Sequence, residues 1–267
     1  MLKRSNYYNL LYLLQINNIK SDLKQNNHII IGKKMNYFNF WASYFSVIGG
    51  NIMKPKIIIY LFVTAAIISA CGVWGVRGNG KIKEESRSVK SFDKIDVSGA
   101  FSVKIYVGES SSLKISGEEN LMKFITTRVS GSTLKIDTKK NLSPRKEILI
   151  EITTPNLEGI HAGGANNIYA ENINTDLFYV DLSGAGNIEI EGVSRRLRAE
   201  ISGAGNIEAK NLKAEEVRIA VSGAASANVY AKSSLEAAVS GVGSIDYYGN
   251  PQDVKTNVSG VGSISRK

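Results

Sequence analysis

Leu182-Ser-Gly-Ala-Gly-Asn-Ile188 recurs 19 residues later as Ile201-Ser-Gly-Ala-Gly-Asn-Ile207, and close copies begin at Val239 and Val258. A fixed period of about 20 residues is typical of stacked structural repeats rather than of a globular enzyme. With two divergent copies included, the apolar residues that open each copy are spaced by 22, 19, 20, 18 and 19 residues. These residues are Ile160, Leu182, Ile201, Val221, Val239 and Val258.

Apolar and polar residues alternate before each copy, as in Phe178-Tyr-Val180-Asp-Leu182, and a shorter alternation such as Ile188-Glu-Ile190 follows it. Period-two alternation predicts β-strands. Two strands with their turns in about 20 residues form one coil of a β-solenoid, with coils about 4.8 Å apart. The alternative is an antiparallel β-sandwich, which we disfavour because sandwich strands rarely repeat their turn sequence. We therefore predict an all-β solenoid with coils of about 19–20 residues.

The turn of each copy predicts how the coils stack. Glycine pairs such as Gly184 and Gly186 fit a sharp corner that leaves no room for a Cβ atom. The polar residue that follows each glycine pair predicts a hydrogen-bonded ladder of side chains along the solenoid. Its members are Asn187, Asn206, Ser244 and Ser263. Small residues suit a narrow interior, and these are Ala199, Ala209, Ala227 and Ala237.

The segment from Val89 to Pro155 is strand-like but less regular, with a short helical turn predicted within Glu118–Thr127. A solenoid needs an atypical end piece that covers its open edge. We expect this segment to form that end piece and to add strands to the stack. The predicted solenoid domain therefore covers residues 89–267.

An export signal precedes this domain. Met53-Lys-Pro-Lys56, the apolar run Ile57–Ile68 and the small residues before Cys71 match a secretory signal peptide over 53–70. The end of this segment resembles the bacterial lipobox, which implies that Cys71 is the lipidated first residue of the mature chain, followed by a tether over 71–88. Ile57–Val76 as a transmembrane helix is the alternative, because about 20 residues can span a bilayer.

Residues 1–52 precede the signal and show no clear period, so we interpret them as a misassigned start or a disordered extension. Translation then starts at Met53, with Met35 as a weaker candidate. The chain carries 33 basic and 24 acidic residues, but 8 basic residues and 1 acid lie in residues 1–71. The mature part keeps 25 basic and 23 acidic residues, a net charge of +2. That balance gives no reason to expect a nucleic-acid partner.

Residues that could support catalysis are scarce in the mature part. His161 is its one histidine, and we interpret it as a turn residue because no second histidine or cysteine accompanies it. A Ser-His hydrolase is disfavoured for the same reason. Calcium-binding repeats need an acidic residue where this chain has Ile188 and Ile207. We predict no catalytic residue, no metal site and no cofactor.

Two outward sets of residues form the candidate binding surface. Glu189 and Glu208 are predicted on adjacent coils, where they could hold a cation or act as an acid/base pair. A solvated face is the favoured interpretation. Tyr169, Tyr230 and Tyr248 are predicted in one column, either as a ladder that stabilises the solenoid or as a contact surface.

The chain resembles the bacterial GIN-domain family, the putative auto-transporter adhesin head domains, over residues 89–267. The resemblance rests on the repeats above and on four segments of the earlier part. These are Phe92-Asp-Lys-Ile95, Val97-Ser-Gly-Ala-Phe-Ser-Val103, Gly117-Glu-Glu-Asn-Leu121 and Thr154-Pro-Asn-Leu157. The resemblance implies a right-handed β-solenoid and an exported protein, in many members a lipoprotein. It implies no established activity and no functional residues.

We therefore predict an exported, lipid-anchored cell-envelope protein whose β-solenoid is a non-catalytic, adhesin-like scaffold for a glycan or protein ligand. Its partner membrane is the outer membrane, either at the periplasmic face or at the cell surface. Gly-Val-Trp-Gly follows Cys71 without an acidic residue, which argues against surface display. A polysaccharide-active enzyme on the same fold and a purely structural envelope protein, assembled through the solenoid end, are the alternatives.

Overall fold

The computed structural model describes residues 75–267. The predicted extension 1–52, the signal peptide 53–70 and the lipidation site Cys71 lie outside the described residues. Within residues 75–267, no helix is long and apolar enough to cross a bilayer. This part of the chain folds almost entirely into β-strands, with one short helix.

The strands before the repeats are short. They are β1 (Val76–Arg77), β2 (Ile82–Ser86), β3 (Lys94–Gly99), β4 (Ser102–Val107), β5 (Ser112–Glu118), β6 (Ile125–Ser130), β7 (Thr133–Thr138), β8 (Leu142–Ser143) and β9 (Leu149–Thr154), with helix α1 (Glu119–Met122) between β5 and β6. The repeat strands are β10 (Gly159–Leu182), β11 (Ala185–Ile201), β12 (Ala204–Val221), β13 (Ala224–Val239), β14 (Val242–Tyr248), β15 (Asp253–Val258) and β16 (Val261–Arg266).

The repeats stack as parallel coils in the order predicted from their spacing. Leu182 pairs with Ile201, Ile201 with Val221, Val221 with Val239, and Val239 with Val258. The stacked coils form a β-solenoid of about five turns, which confirms the predicted fold. Each coil therefore forms its backbone hydrogen bonds with the coil before it and the coil after it.

Inward-facing side chains of successive coils form one continuous core. Phe178, Val180 and Leu182 are at most 1% exposed, and the corresponding residues of the next three coils are buried as well. The four small residues expected in a narrow interior, Ala199, Ala209, Ala227 and Ala237, are all buried. Period-two alternation on parallel coils therefore places every second side chain inside.

Glycines occupy the corners because the backbones of adjacent coils approach closely there. A Cβ atom on Gly203 would overlap the carbonyl oxygen of Gly184, and one on Gly223 would overlap that of Gly203. The amide of Ala204 donates to the Gly184 carbonyl oxygen at 3.0 Å. The predicted stacking of the glycine corners is confirmed, and its cause is the close approach of two main chains.

The N-terminal segment both extends the stack and covers its end. β3 and β4 pair in parallel with β10, so they continue the ladder of the repeats. β9 follows β4, and β5 and β2 then add in antiparallel order. Residues 82–86, which belong to the predicted tether, are therefore a strand of the domain. The helical turn expected within 118–127 is limited to α1.

A buried carboxylate fixes this end piece. Glu118 is 0% exposed and accepts hydrogen bonds from the backbone amides of Arg145 at 2.7 Å, Gly80 at 2.5 Å and Lys146 at 3.4 Å. Burial by itself raises the pKa of Glu118, but these three amides outweigh it and hold the pKa below its ordinary value. The carboxylate therefore connects the end of β5 to the loop before β2 and to the loop between β8 and β9.

The last described coil leaves apolar side chains exposed. Val254 and Val258 of β15 are 41% and 44% exposed, whereas Leu235 and Val239 at the same positions of the preceding coil are 2% and 1% exposed. No described strand lies beyond β15 and β16 in the sheet order. The described stack is therefore covered at one end only.

Candidate functional site

Each coil presents two outward faces, one from each of its strands. We call the face that carries Tyr179, Arg198, Arg218, Glu236 and Lys255 the first-strand face, because these residues precede the glycine corner. The face that carries Tyr169, Glu189, Glu208, Asn228 and Asp246 is the second-strand face. Pairing between coils keeps each set in one column.

The two predicted glutamates of the second-strand face do lie on adjacent coils, since Glu189 pairs with Glu208. Glu208 is engaged locally: its Oε2 atom accepts from the Asn228 amide at 2.8 Å, and its Oε1 atom lies 3.7 Å from Lys210 Nζ. Within the described residues, no group of three or more histidine, cysteine, aspartate or glutamate side chains could hold a metal ion. These contacts favour a surface carboxylate held by its neighbours over an acid/base pair.

Two of the three predicted tyrosines share a column, and the third does not. Tyr230 pairs with Tyr248, and Lys213 Nζ lies 4.0 Å from the centre of the Tyr230 ring. Tyr169 instead pairs with Glu189, so its placement in the tyrosine column was wrong. The reason is that Tyr169 directly follows the inward Ile168. Tyr230 and Tyr248 instead come three residues after Ala227 and Ile245, the inward residues at the corresponding position.

Tyr169 belongs to the acidic part of the second-strand face. Its hydroxyl donates to Glu171 Oε2 at 3.0 Å. This hydrogen bond, then burial, then the charges of Glu171, Glu191 and Glu189 raise the pKa of Tyr169 to about 12. The hydroxyl is therefore a committed hydrogen-bond donor at neutral pH, not a proton-transfer group.

A ladder of polar side chains follows the glycine corners. Asn206 Nδ2 donates to Asn187 Oδ1 at 2.9 Å, which confirms the predicted contact. Asn167 and Ser226 extend the ladder, at 3.2 and 2.5 Å. Ser244 continues the same column by its backbone register with Ser226. These exposed hydrogen bonds tie adjacent coils together and do not form a pocket.

The first-strand face holds a concavity that the sequence pattern did not predict. A cavity of about 710 Å³ lies where β3, β7 and β10 meet, beside Lys94, Lys135, Gly159 and Tyr179. A second groove of about 490 Å³ continues along the same face and shares Leu177 and Arg196 with the first. Gly159 is the feature of the sequence that could have indicated the cavity, because the later coils carry long side chains at this position.

Ion pairs organise the side chains around this cavity. Lys135 Nζ lies 3.3 Å from Asp96, and His161 Nδ1 lies 3.0 Å from Asp181. His161 thus lies within strand β10, not in a turn as predicted.

Asp176, at the edge of the cavity, pairs with Arg195 at 2.5 Å and with Arg196 at 2.9 Å. Hydrogen bonds from the two guanidinium groups lower the pKa of Asp176 to about 2. The carboxylate therefore stays ionised, and it holds both arginine side chains in fixed positions.

Residues 91–251 match the family model described as putative auto-transporter adhesin, head GIN domain. The chain is similar to the crystal structure of a putative adhesin from Bacteroides fragilis, with 28% identity, 72% of this chain and 100% of that chain covered, and a TM-score of 0.63. A putative adhesin from Parabacteroides merdae shows 20% identity, 72% and 99% coverage and a TM-score of 0.48. A putative lipid binding protein from Parabacteroides distasonis shows 21% identity, with 72% of this chain and 99% of that chain covered, and a TM-score of 0.45. No curated protein matches the chain.

Proposed function

Because the chain belongs to the family of putative auto-transporter adhesin head GIN domains, we propose that its β-solenoid is a non-catalytic, adhesin-like scaffold of the cell envelope that binds a glycan or protein ligand. The observation that carries this proposal is the continuity of the outward columns. Register between coils holds five successive residues of each face in line, from Tyr179 to Lys255 on one face and from Tyr169 to Asp246 on the other. Extended ordered surfaces of this kind are what solenoids use for binding.

The ligand-binding surface is fixed before a ligand arrives, which supports a binding role. Arg218 Nε donates to Glu236 on the next coil at 2.9 Å, and Asn211 Nδ2 donates to Glu191 at 3.0 Å. Side chains that are already held lose less conformational entropy on binding.

Attachment to the envelope is the second half of the proposal. Cys71 follows the signal segment 53–70, and it is the one cysteine of the chain. We infer that it carries the lipid of an outer-membrane lipoprotein, at the periplasmic face or at the cell surface, and that the mature chain begins there.

Metabolic labelling with a fatty-acid analogue tests the anchor in cells that express the full chain. We expect label on the wild-type protein and on Ser69→Ala, which keeps a small residue before the cysteine, but none on Cys71→Ala. Cys71→Ala should also leave the membrane fraction. Unchanged labelling of Cys71→Ala would contradict the lipid anchor. Protease treatment of whole cells then assigns the face of the membrane.

Binding and turnover are measured together on the purified full chain, with polysaccharides and envelope proteins as probes. We expect saturable binding to at least one probe, with no new reducing ends or unsaturated products. The polysaccharide-active alternative predicts product formation that is lost in Glu208→Gln. Glu109→Gln serves as the matched control, because it removes an exposed carboxylate in the loop between β4 and β5, outside both faces. Product formation that depends on Glu208 would overturn the non-catalytic assignment.

A further inference from the structure

We propose that the cavity between Lys94 and Tyr179 on the first-strand face binds a neutral hexose unit of an oligosaccharide. This inference rests on the proposed function, since it names the ligand class and the place where the scaffold binds it. The candidate surface expected from the sequence lies on the other face, around Glu189, Glu208 and Tyr230. The two faces can therefore be tested against each other.

A missing side chain forms the cavity. Gly159 pairs with Lys94 on one side, and Tyr179 occupies the next coil on the other. A Cβ atom built on Gly159 would lie 3.4 Å from Tyr179 Cβ and 3.8 Å from Lys94 Cγ. In the following coils the same column carries long side chains, among them Arg198 and Arg218. Gly159 is therefore the position of this column that lacks a side chain, and it lies between Lys94 and Tyr179.

The apolar part of the cavity suits the carbon face of a sugar ring. Tyr179 lines the cavity and is partly buried, so part of its side chain packs against the protein. Leu177 lies beside it on the same face and is 40% exposed. An aromatic ring with a polar tip next to an exposed aliphatic side chain can contact C–H groups and still hydrogen-bond to hydroxyl groups.

The polar part of the cavity balances its charges. Three cationic side chains line it, namely Lys94, Lys135 and Arg196, and so do three carboxylates, namely Asp96, Glu158 and Asp176. Lys94 is exposed and forms no ion pair within residues 75–267. Its ammonium group is therefore available as a donor next to the carboxylate acceptors, without an excess of either charge among the lining side chains.

A polyhydroxylated neutral ligand matches that balance. Sugar hydroxyl groups accept from ammonium and guanidinium groups and donate to carboxylates, so both kinds of side chain are satisfied together. An anionic sugar would meet three repelling carboxylates as well as three attracting cations, and the converse holds for a cationic sugar, so neither charge gains a net attraction. The equal numbers of cationic and anionic side chains therefore favour a neutral hexose over a uronic acid or an amino sugar.

The dimensions indicate a unit within a longer chain. A volume of about 710 Å³ lies in the usual range for small-ligand sites, about 300–1,000 Å³. The adjoining groove of about 490 Å³ shares Leu177 and Arg196 with the cavity and runs towards Arg218 and Lys255. An oligosaccharide seated at Tyr179 would therefore extend along the coils, and affinity should rise with the number of sugar units.

Calorimetric titration of the full chain with neutral gluco-, galacto- and manno-oligosaccharides, and with oligouronides, tests the inference. We expect at least one neutral series to bind, and Tyr179→Ala to weaken it about tenfold or more. Tyr179→Phe should keep most of the affinity, because the ring is retained. Lys94→Ala provides a second, exposed position and should weaken binding severalfold. Tyr106→Ala is the matched control and should leave affinity unchanged, because this exposed tyrosine of β4 lines neither the cavity nor the adjoining groove. Tyr230→Ala tests the rival surface on the second-strand face.

The contrary results are distinct. If Tyr230→Ala abolishes binding and Tyr179→Ala does not, the scaffold binds glycans but this cavity is not the site. Tighter binding of oligouronides than of neutral oligosaccharides would overturn the ligand class. If no saccharide binds the wild-type chain, the inference fails, while capture of an envelope protein in the preceding experiment would still support the proposed function. Melting curves of each variant separate a lost contact from a lost fold.

Discussion

Gly203→Ala is expected to lower the free energy of unfolding by about 3 kcal/mol, at the upper end of the usual cost of overpacking. The added methyl group would overlap the carbonyl oxygen of Gly184, which is main chain and cannot rotate away. The pairing of Ala185 with Ala204 fixes the distance between these coils immediately beside the corner. Relief therefore requires that the two coils separate locally. Urea denaturation followed by circular dichroism measures the loss.

Gly163→Ala is the control for this substitution. Gly163 lies in a corner of the same kind, but a Cβ atom there would be 3.4 Å from Ser98 Oγ and 3.8 Å from Ser183 Oγ, both on side chains that can adjust. We expect a change within about 0.5 kcal/mol. Equal destabilisation by Gly163→Ala and Gly203→Ala would contradict the explanation by close approach of the main chains, and would indicate a general cost of replacing corner glycines.

Phe178→Ala is expected to cost about 3–5 kcal/mol, the range for removing a buried phenylalanine side chain. Phe178 is 0% exposed and is the largest fully buried side chain of the described residues. It pairs with Leu197 on the next coil, and the hydrogen-bonded spacing of the coils limits how far the walls can collapse into the cavity. Thermal and urea unfolding of the purified variant measure the effect.

Leu177→Ala tests whether this cost comes from burial. Leu177 is adjacent in the strand but points outward and is 40% exposed. We expect a loss below about 1 kcal/mol, because less apolar surface returns to water. If Leu177→Ala destabilised the protein as much as Phe178→Ala, side-chain propensity in the strand, rather than packing inside the coil, would explain both results.

The architecture of the repeats could be predicted because each copy pairs with the next copy in the same way. Leu182, Ile201 and Val221 face inward at nearly equal spacing, and each pairs with the next in the stack. Glycine corners and small interior residues follow from the same period. The end piece could not be predicted in detail, because alternation identifies β5 and β9 as strands but not their antiparallel pairing.

The candidate sites were harder to predict than the fold. The predicted tyrosine column depended on counting from the inward residue after each corner, and a difference of two residues places Tyr169 in the glutamate column instead. The first-strand cavity depends on the pairing of Gly159 with Lys94, two residues far apart in the chain. Gly159 is visible in the sequence as a glycine outside the corners. Only the structure shows that it lies between Lys94 and Tyr179.

The pairing of every coil with only its two neighbours makes the length of this molecule an adjustable property. Insertion of one whole repeat after Val221 would move the far end outward by about 4.8 Å, and all earlier pairings would be kept. A single extra residue in a strand would instead turn inward side chains outward. The solenoid can thus be lengthened in fixed steps, and the cavity beside Gly159 would stay unchanged while coils are added beyond it.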